Sequence, residues 1–551
     1  MAKFPGFIGG SYLSASVNAD CQRTINLFPE VIESGDGANI GMLRGTPGLA
    51  LLLTLPTTPV RGLWAGGAPL SGAARLFAVG GSKLYEISSA WVATLLGDVG
   101  DDAGHTPVQI FPDGNQLGIV SAGNFYLADG ISVYQPNFIS ASGFLSTAGT
   151  AVTWSEGTLF DPSWVGQNIR IGGVGGTVYT IASVADPNDM VLTATAGANL
   201  DVEFTMFYGS PVTAKTGAFL DGYFVAATPD SKMYQLSGIN LFEEWDPLDS
   251  AIKQSYPDNI GAVLADHQEL YLFGESTTEV WQDTGGSTTN TFPFQRDPGA
   301  CMSIGTGAPW SCVSMRDGVA WIKADTRGGP VAFYAKGYQP ERVSTHAIEQ
   351  AWAAYSTVMD AQCFVYELDG HECWQINFPT ANTTWVYDRT TSLQMGKPMW
   401  HEKTSYNGTT FDRHRARCHA YVWGQHVVGD FANGKVYAMS TSAYDDAGTP
   451  IYCIRTCPHM NQDRLMQFFS RLTVNLETTT SATTVLTLDW SDDGGHTWQT
   501  AINLTIPAVF DFLAYFNRLG KSRDRVFRLT WVGTNKKALI DVSVDHTVGV
   551  A

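Results

Sequence analysis

The sequence predicts an all-β protein: a β-propeller of six or seven blades with a small inserted β-domain and a C-terminal β-sandwich-like domain. Three observations predict it. Apolar residues are 44% of the 551 residues and charged residues only 15%, with 57 Gly, 21 Tyr and 16 Trp, a balance that suits short strands and tight turns better than long charged helices. A strand–turn–strand unit recurs after residue 58, and the strand pattern changes character twice, near 137 and near 463. The length allows two to four domains with a sizeable core, so folding requires neither disulfides nor a metal.

The chain opens with two particular stretches, "CQRTINLFPEV" from Cys21 and "RGTPGLALLL" from Arg44. Neither sets a nucleophile beside a base or spaces metal ligands. From residue 58 the repeating unit begins: an apolar strand, a turn with Gly, Asp or Asn, and a second strand carrying Tyr or Trp. Copies start at Arg75 ("RLFAVGGSKLYEI"), Gln116, Gly222, Gln268 ("QELYLFGESTTEVWQ"), Gly318, Gln362 and Ala420. A propeller blade is a four-stranded sheet that cannot bury its own faces and must stack on its neighbours around an axis. Residues 58–136 and 213–462 are therefore assigned to the propeller.

Between them, 137–212 carries short Val-, Ile- and Thr-rich strands with Arg170 as its one basic residue. This reads as a small β-domain inserted in a blade loop, where insertions are tolerated. From 463 to 551 the strands lengthen and alternate, as in "RLTVNLETTT" and "KKALIDVSVDHTVGV", which predicts an antiparallel sandwich. Helical signals are sparse, the best being "STHAIEQAWAAYS" from Ser344.

The formal charge of -19 argues against a surface that wraps nucleic acid, because phosphate binding needs Lys and Arg. A lumen that DNA only passes through remains compatible, since an acidic wall repels phosphate. Eight cysteines scattered over this length predict free thiols in a reducing compartment. The start lacks the apolar stretch of a signal peptide, and the longest apolar run, near Leu49 to Leu55, is too short to span a bilayer. A soluble protein without a visible export signal is expected.

Four motifs bear on function. "SDDGGHTW" matches the Asp-box pattern through Ser491, Asp493, Gly495, Thr497 and Trp498. Here Asp493 would accept backbone N–H bonds, Gly495 would supply positive φ and Trp498 would pack beneath the hairpin, a structural role. Sialidases carry several such boxes with an arginine cluster and a Tyr/Glu pair, and only one box occurs here. "CIRTCPH" and "RHRARCH" bring together Cys453, Cys457 and His459, and His414, Cys418 and His419. The spacing does not fit a zinc finger or ribbon, and the separation of Cys453 from Cys457 on a strand is read as turning their side chains to opposite faces. Buried thiols are the expectation, with no metal and no cofactor. Glu243, Glu244 and Asp246 in "LFEEWDP" are read as solvated loop carboxylates rather than a glycosidase pair. No nucleophile elbow, phosphate loop or dinucleotide fingerprint is present, so no catalytic residue is assigned. Finally, Arg518, Lys521, Arg523, Arg525 and Arg528, with Lys536 and Lys537, stand against Asp524 alone, seven positive charges less one negative. Two readings stay open: a solvated edge strand protected from aggregation, or a docking surface for an acidic partner or DNA.

Taken together, "RTINLFPE", "RGTPGL", "SYPDNIGAVLADHQELYLFGESTTEVWQDTGG", "FPFQRDPGACMSIGTGAP", "WSDDGGHTW" and "RLGKSRDRVFRLTW" resemble the tail nozzle, or packaged-DNA stabilisation, proteins of short-tailed and related bacteriophages. The resemblance covers most of the chain apart from 137–212, which would be a decoration or a tail-fibre site. It implies a non-enzymatic propeller subunit of the virion tail, assembled in the host cytoplasm. Such subunits form a ring, usually a hexamer, below the head-to-tail adaptor, continue the DNA channel and close it with fibre, spike or needle proteins. Double-stranded DNA would pass without sequence-specific contacts, and the host membrane would not be touched. Residues 1–57 would then be an N-terminal arm packing on the propeller or a neighbouring subunit, with "TPGLALLLTLP" supplying a strand that closes the ring of blades. The rivals are a sialidase-like hydrolase, which needs convergent titratable groups in the propeller well, and a receptor- or carbohydrate-binding tail protein. The latter would expose aromatics on its insert, where Trp154, Phe160 and Trp164 occur.

Overall fold

A computed structural model describes residues 2–34, 40–67, 73–173, 176–207, 209–285, 292–324, 329–479 and 483–549. The repeat copy that begins at Gly318 crosses 325–328, and the insert crosses 174–175 and 208, so those stretches of the two expectations lie outside the described residues.

Among the described residues the recurring unit becomes seven four-stranded antiparallel arrays. Their first strands are Val60–Gly66, Gln109–Pro112, Thr216–Leu220, Ile260–Asp266, Val313–Met315, Gln362–Leu368 and Ala416–Val422. Each packs on the next in this order, and Ala416–Val422 returns to Val60–Gly66, so the circuit closes. The core follows the same logic. Seven apolar clusters form, each between two neighbouring arrays: Phe77 and Val79 meet Leu117 and Ile119, Phe125 meets Phe224 and Trp245, and so on to Val60 and Leu76, which meet Ala420, Val427 and Val436. A sheet apolar on both faces has no stable state except between two others. The seventh array takes its outer strand from the N-terminal arm: Gly48–Thr54 pairs antiparallel with Lys435–Ser440. The chain closes its own ring with that strand.

The insert is a closed six-stranded barrel running from Ala141 to Met206. Phe160 and Trp164 are buried in its core and Trp154 packs against them. The aromatics that a receptor-binding reading would need at the surface therefore fill the barrel.

The C-terminal region is a sandwich, and it extends beyond 463–551. One sheet runs Leu27–Val31, Gly41–Gly45, Ala538–Val548, Gln467–Glu477, Asp511–Ser522. The facing layer holds Cys21–Ile25, Thr449–Thr456, Asp524–Gly533, Thr484–Ser491 and Ile502–Ile506. Phe4, Phe7, Leu27 and Leu43 of the arm, with Ile451 and Cys453, complete its core beside Leu472, Leu488, Phe527 and Trp531. A boundary at 462/463 therefore leaves out Thr449–Thr456 and four arm strands or segments. Alternation along a strand shows which face is buried but not which sheet edge it joins.

Helix His346–Ala353 occurs where expected, with Thr345 at its N-cap. A second short helix, Arg389–Met395, has no apolar period in sequence; Asp388 caps the Thr391 N–H at 2.9 Å, and Gly396 ends it at φ +64°. No helix among the described residues is long and apolar enough to cross a membrane.

Candidate assembly surfaces and the propeller well

The arm explains the particular residues with which the chain opens. Cys21–Ile25 lies between the sandwich and the sixth array, pairing with Thr449–Thr456 on one side and bridging Glu402 on the other. Arg23 binds Glu402 at 2.9 Å and Thr24 donates to the Gly9 carbonyl at 2.9 Å. Asn26 turns the chain at φ +52°. Its amide donates to the Thr404 and Tyr452 carbonyls and accepts from the Thr404 N–H, which locks arm, propeller and sandwich at one point. Arg44 binds Glu30 at 2.6 Å and Asp369 at 2.9 Å. At Gly48 a Cβ would stand 2.5 Å from the Asp445 carbonyl, so only glycine lets the closing strand enter its slot.

In the Asp box the bonds centre on Asp493. Ser491 Oγ donates to Asp493 at 2.6 Å, and Asp493 accepts the Thr497 N–H and hydroxyl at 2.8 and 2.6 Å. These bonds hold its carboxyl well below the usual range. Gly495, at φ +99°, faces the Cys21 thiol and Gly494 faces Asn18, so the turn also seats the arm. Trp498 is half-buried, with the Arg528 guanidinium 3.8 Å above its ring.

The basic cluster does not form one surface. Arg525 is buried, binds Asp492 at 2.6 Å and lies over the Phe469 and Trp490 rings. Arg528 binds Asp489, Lys536 binds Glu477, and buried Lys537 donates to the Gly533 carbonyl at 2.6 Å. A bend divides the run: Arg518, Lys521 and Arg523 are exposed, Arg523 lying between Asp511–Ser522 and Asp524–Gly533, while Arg525, inside the second strand, is buried. A charge count along the chain cannot see that division. Arg518 and Lys521 lie on Asp511–Ser522, the edge strand of its sheet. That strand also exposes Leu513 and Tyr515, beside exposed Phe510.

Glu243 and Glu244 are not merely solvated. Both bind Arg170 of the barrel, Glu243 at 2.6 Å, and Tyr134 donates to Glu243 at 2.8 Å. The one basic residue of the insert is the tether of barrel to propeller. Cys453 and Cys457 both enter the sandwich core, correcting the opposite-face expectation: positions four apart on a strand of period two share a face. Cys453 donates to the Asn26 carbonyl at 3.2 Å, and burial pushes the Cys457 thiol up to about 12. His459 sits elsewhere, at the arm, with Nδ1 3.0 Å from Asp524 and Nε2 2.9 Å from the Val17 carbonyl. His414 is buried beside Gln375 and Thr384 of the sixth array, Cys418 lies on Ala416–Val422, and His419 Nε2 lies 3.0 Å from His426 Nδ1.

Sequence reading overlooked the well of the propeller. A cavity of about 510 Å³ lies among the first strands, lined in part by Arg61, Gln109, Gln362, Arg417 and His419. Arg61 is fully buried and binds Asp101 at 3.1 Å and the Thr106, Gly81 and Gly100 carbonyls. Arg417 donates to Gln362 Oε1 at 2.9 Å and to the His105 carbonyl. Burial lowers both guanidinium groups, Arg417 to about 10, and lowers His419 to about 3, leaving it neutral. The sequence signal is in "RHRARCH", which holds three arginines beside its two histidines and one cysteine.

A family model described as bacteriophage P22 Gp10, beta-propeller, matches residues 10–203 and 179–444. No curated protein matches. Similar solved structures include PorZ of Porphyromonas gingivalis (12% identity, 76% of this chain and 44% of that chain, TM-score 0.29). An exo-β-1,3-galactanase from Phanerochaete chrysosporium (9%, 90% and 99%, 0.23) and the Swd1 β-propeller domain from Myceliophteria thermophila (8%, 71% and 99%, 0.28) are also similar. Superpositions this loose carry no argument about activity.

Proposed function

Because the chain belongs to the bacteriophage P22 Gp10 β-propeller family, we propose that it is a structural, non-enzymatic component of a phage tail that forms a homomeric ring, six copies around the DNA channel. The family match over most of the chain carries this reading. In it, the ring sits below the head-to-tail adaptor, retains packaged DNA with the fibre, spike or needle proteins, and lets the genome leave. The charge of -19 supports a wall along which DNA slides, since each fixed Lys or Arg contact would add a salt-dependent brake. The edge strand Asp511–Ser522, with Leu513, Tyr515, Arg518 and Lys521 exposed, suits a neighbouring copy, because an unpaired apolar edge is a template for association. Electron microscopy of the intact particle tests the proposal. Six copies ringing the tail are expected; a map with one copy per tail, or none, overturns it.

A further inference from the structure

The well is unlike the other charged sites of this molecule. In a chain with 52 acidic residues, its described lining holds two arginines and no Asp or Glu. Elsewhere buried guanidinium groups are neutralised or saturated. Arg525 has Asp492 and Arg170 has Glu243 and Glu244, while Arg455 spends its donors on the Gly6, Phe7 and Gly10 carbonyls, Thr24 and Gln22. Arg417 has neither arrangement. Among the described residues it bonds only Gln362 and the His105 carbonyl, leaving Nη1 unused and its charge without a carboxylate in contact. Arg61 shares Asp101 through Nη1, but its Nη2 is buried without a partner.

The amides add to this surplus of donors. Gln109 Oε1 accepts the Gly217 N–H at 2.9 Å and Gln362 Oε1 accepts from Arg417 Nε. Those partners can only donate, so the oxygens are fixed toward them and both NH₂ ends are left over. A buried cation with no carboxylate in contact is costly, and Arg417, Gln109 and Gln362, which line the cavity, carry donors that no protein acceptor among the described residues takes. Guanidinium groups in this setting favour planar or tetrahedral oxygens bearing negative charge.

We propose that the propeller well binds a small oxyanion, a phosphate or a carboxylate, through Arg417 Nη1, with the Gln109 and Gln362 amides as further donors. This inference does not depend on the tail assignment. The test is calorimetric titration of the full-length protein with sodium phosphate and, separately, sodium acetate, each against sodium chloride at equal ionic strength. Saturable binding of at least one oxyanion at one site per chain is expected. Arg417→Gln should weaken it by about ten- to hundredfold. Gln362→Glu keeps an oxygen for Arg417 Nε and offers the second to the well, so it should abolish binding while raising the thermal midpoint. This second variant decides the matter if Arg417→Gln fails to fold. Absence of saturable heat with both anions, or undiminished binding by Gln362→Glu, overturns the site.

Discussion

At the scale of single residues, the basic run shows how far a place in a bend or inside a strand changes what a charge does. Arg523 reaches only the Arg464 carbonyl and is exposed, while Arg525, two places on, is buried against Asp492 and three aromatic rings. Arg525→Ala leaves a hole among three aromatic rings and frees the Leu519 and Lys521 carbonyls, and is expected to cost about 2–4 kcal/mol. Arg523→Ala should change stability by less than about 0.5 kcal/mol. Urea unfolding of the two variants checks the contrast; equal losses would mean the exposed arginine is also structural. His459 supplies a pH dependence. The Cys21 thiol at 3.8 Å, then Asp524 and the Val17 carbonyl, raise it to about 9. The free imidazole titrates near 6.5, so the folded value lies above the unfolded one. The stabilisation is therefore complete below about 6.5 and is lost as pH rises through about 9. Denaturation at stepped pH should show the wild type weakening across that window and His459→Gln changing less.

At the scale of elements, the arm is the part on which the rest depends. Gly48–Thr54 completes the seventh array, and Leu49, fully buried, packs on Phe364, Tyr366 and Val428 of two arrays. Leu49→Ala should cost about 2–5 kcal/mol, measured by the same unfolding, whereas exposed Leu51 should tolerate Ala with little loss. The barrel is the opposite kind of element. Among the described residues its strands pair only with one another and its core is its own. Replacing 141–206 by a short linker should leave the propeller's thermal midpoint nearly unchanged, and the excised barrel should fold alone. Circular dichroism and limited proteolysis of both pieces check this. Arg170→Met should loosen the barrel from Glu243 and Glu244 without unfolding either part.

At the scale of the whole molecule, propeller and sandwich are tied by one arm that contributes strands to both. The exposed edge Asp511–Ser522 is then a surface left for another chain. Replacing Leu513 and Tyr515 by Glu should leave the monomer folded but lower recovery of the protein on tail-deficient particles. Removing Arg518, Lys521 and Arg523 should lower it further in a salt-dependent way, since exposed charge pairs are screened beyond about 8–10 Å. Pelleting across a salt series reads both effects; recovery equal to wild type would leave the edge merely solvated.

The sequence by itself determined the class of structure and its repeating parts. Period-two alternation, Gly/Asp/Asn turns and aromatic second strands are local properties, and so are the Asp box, the helix at Ser344 and the foreign character of 137–212. Only the tertiary structure decided the partners. Which strand closes the seventh array, which arm residues finish the sandwich core, which arginines of the basic run are buried, and that Arg61 meets Arg417 across 356 positions of chain all depend on contacts between distant segments. Strand pattern records the face a residue shows, and closure of a ring by its own first and last strands is a long-range choice set by which unpaired edges and apolar faces remain once the local units have formed.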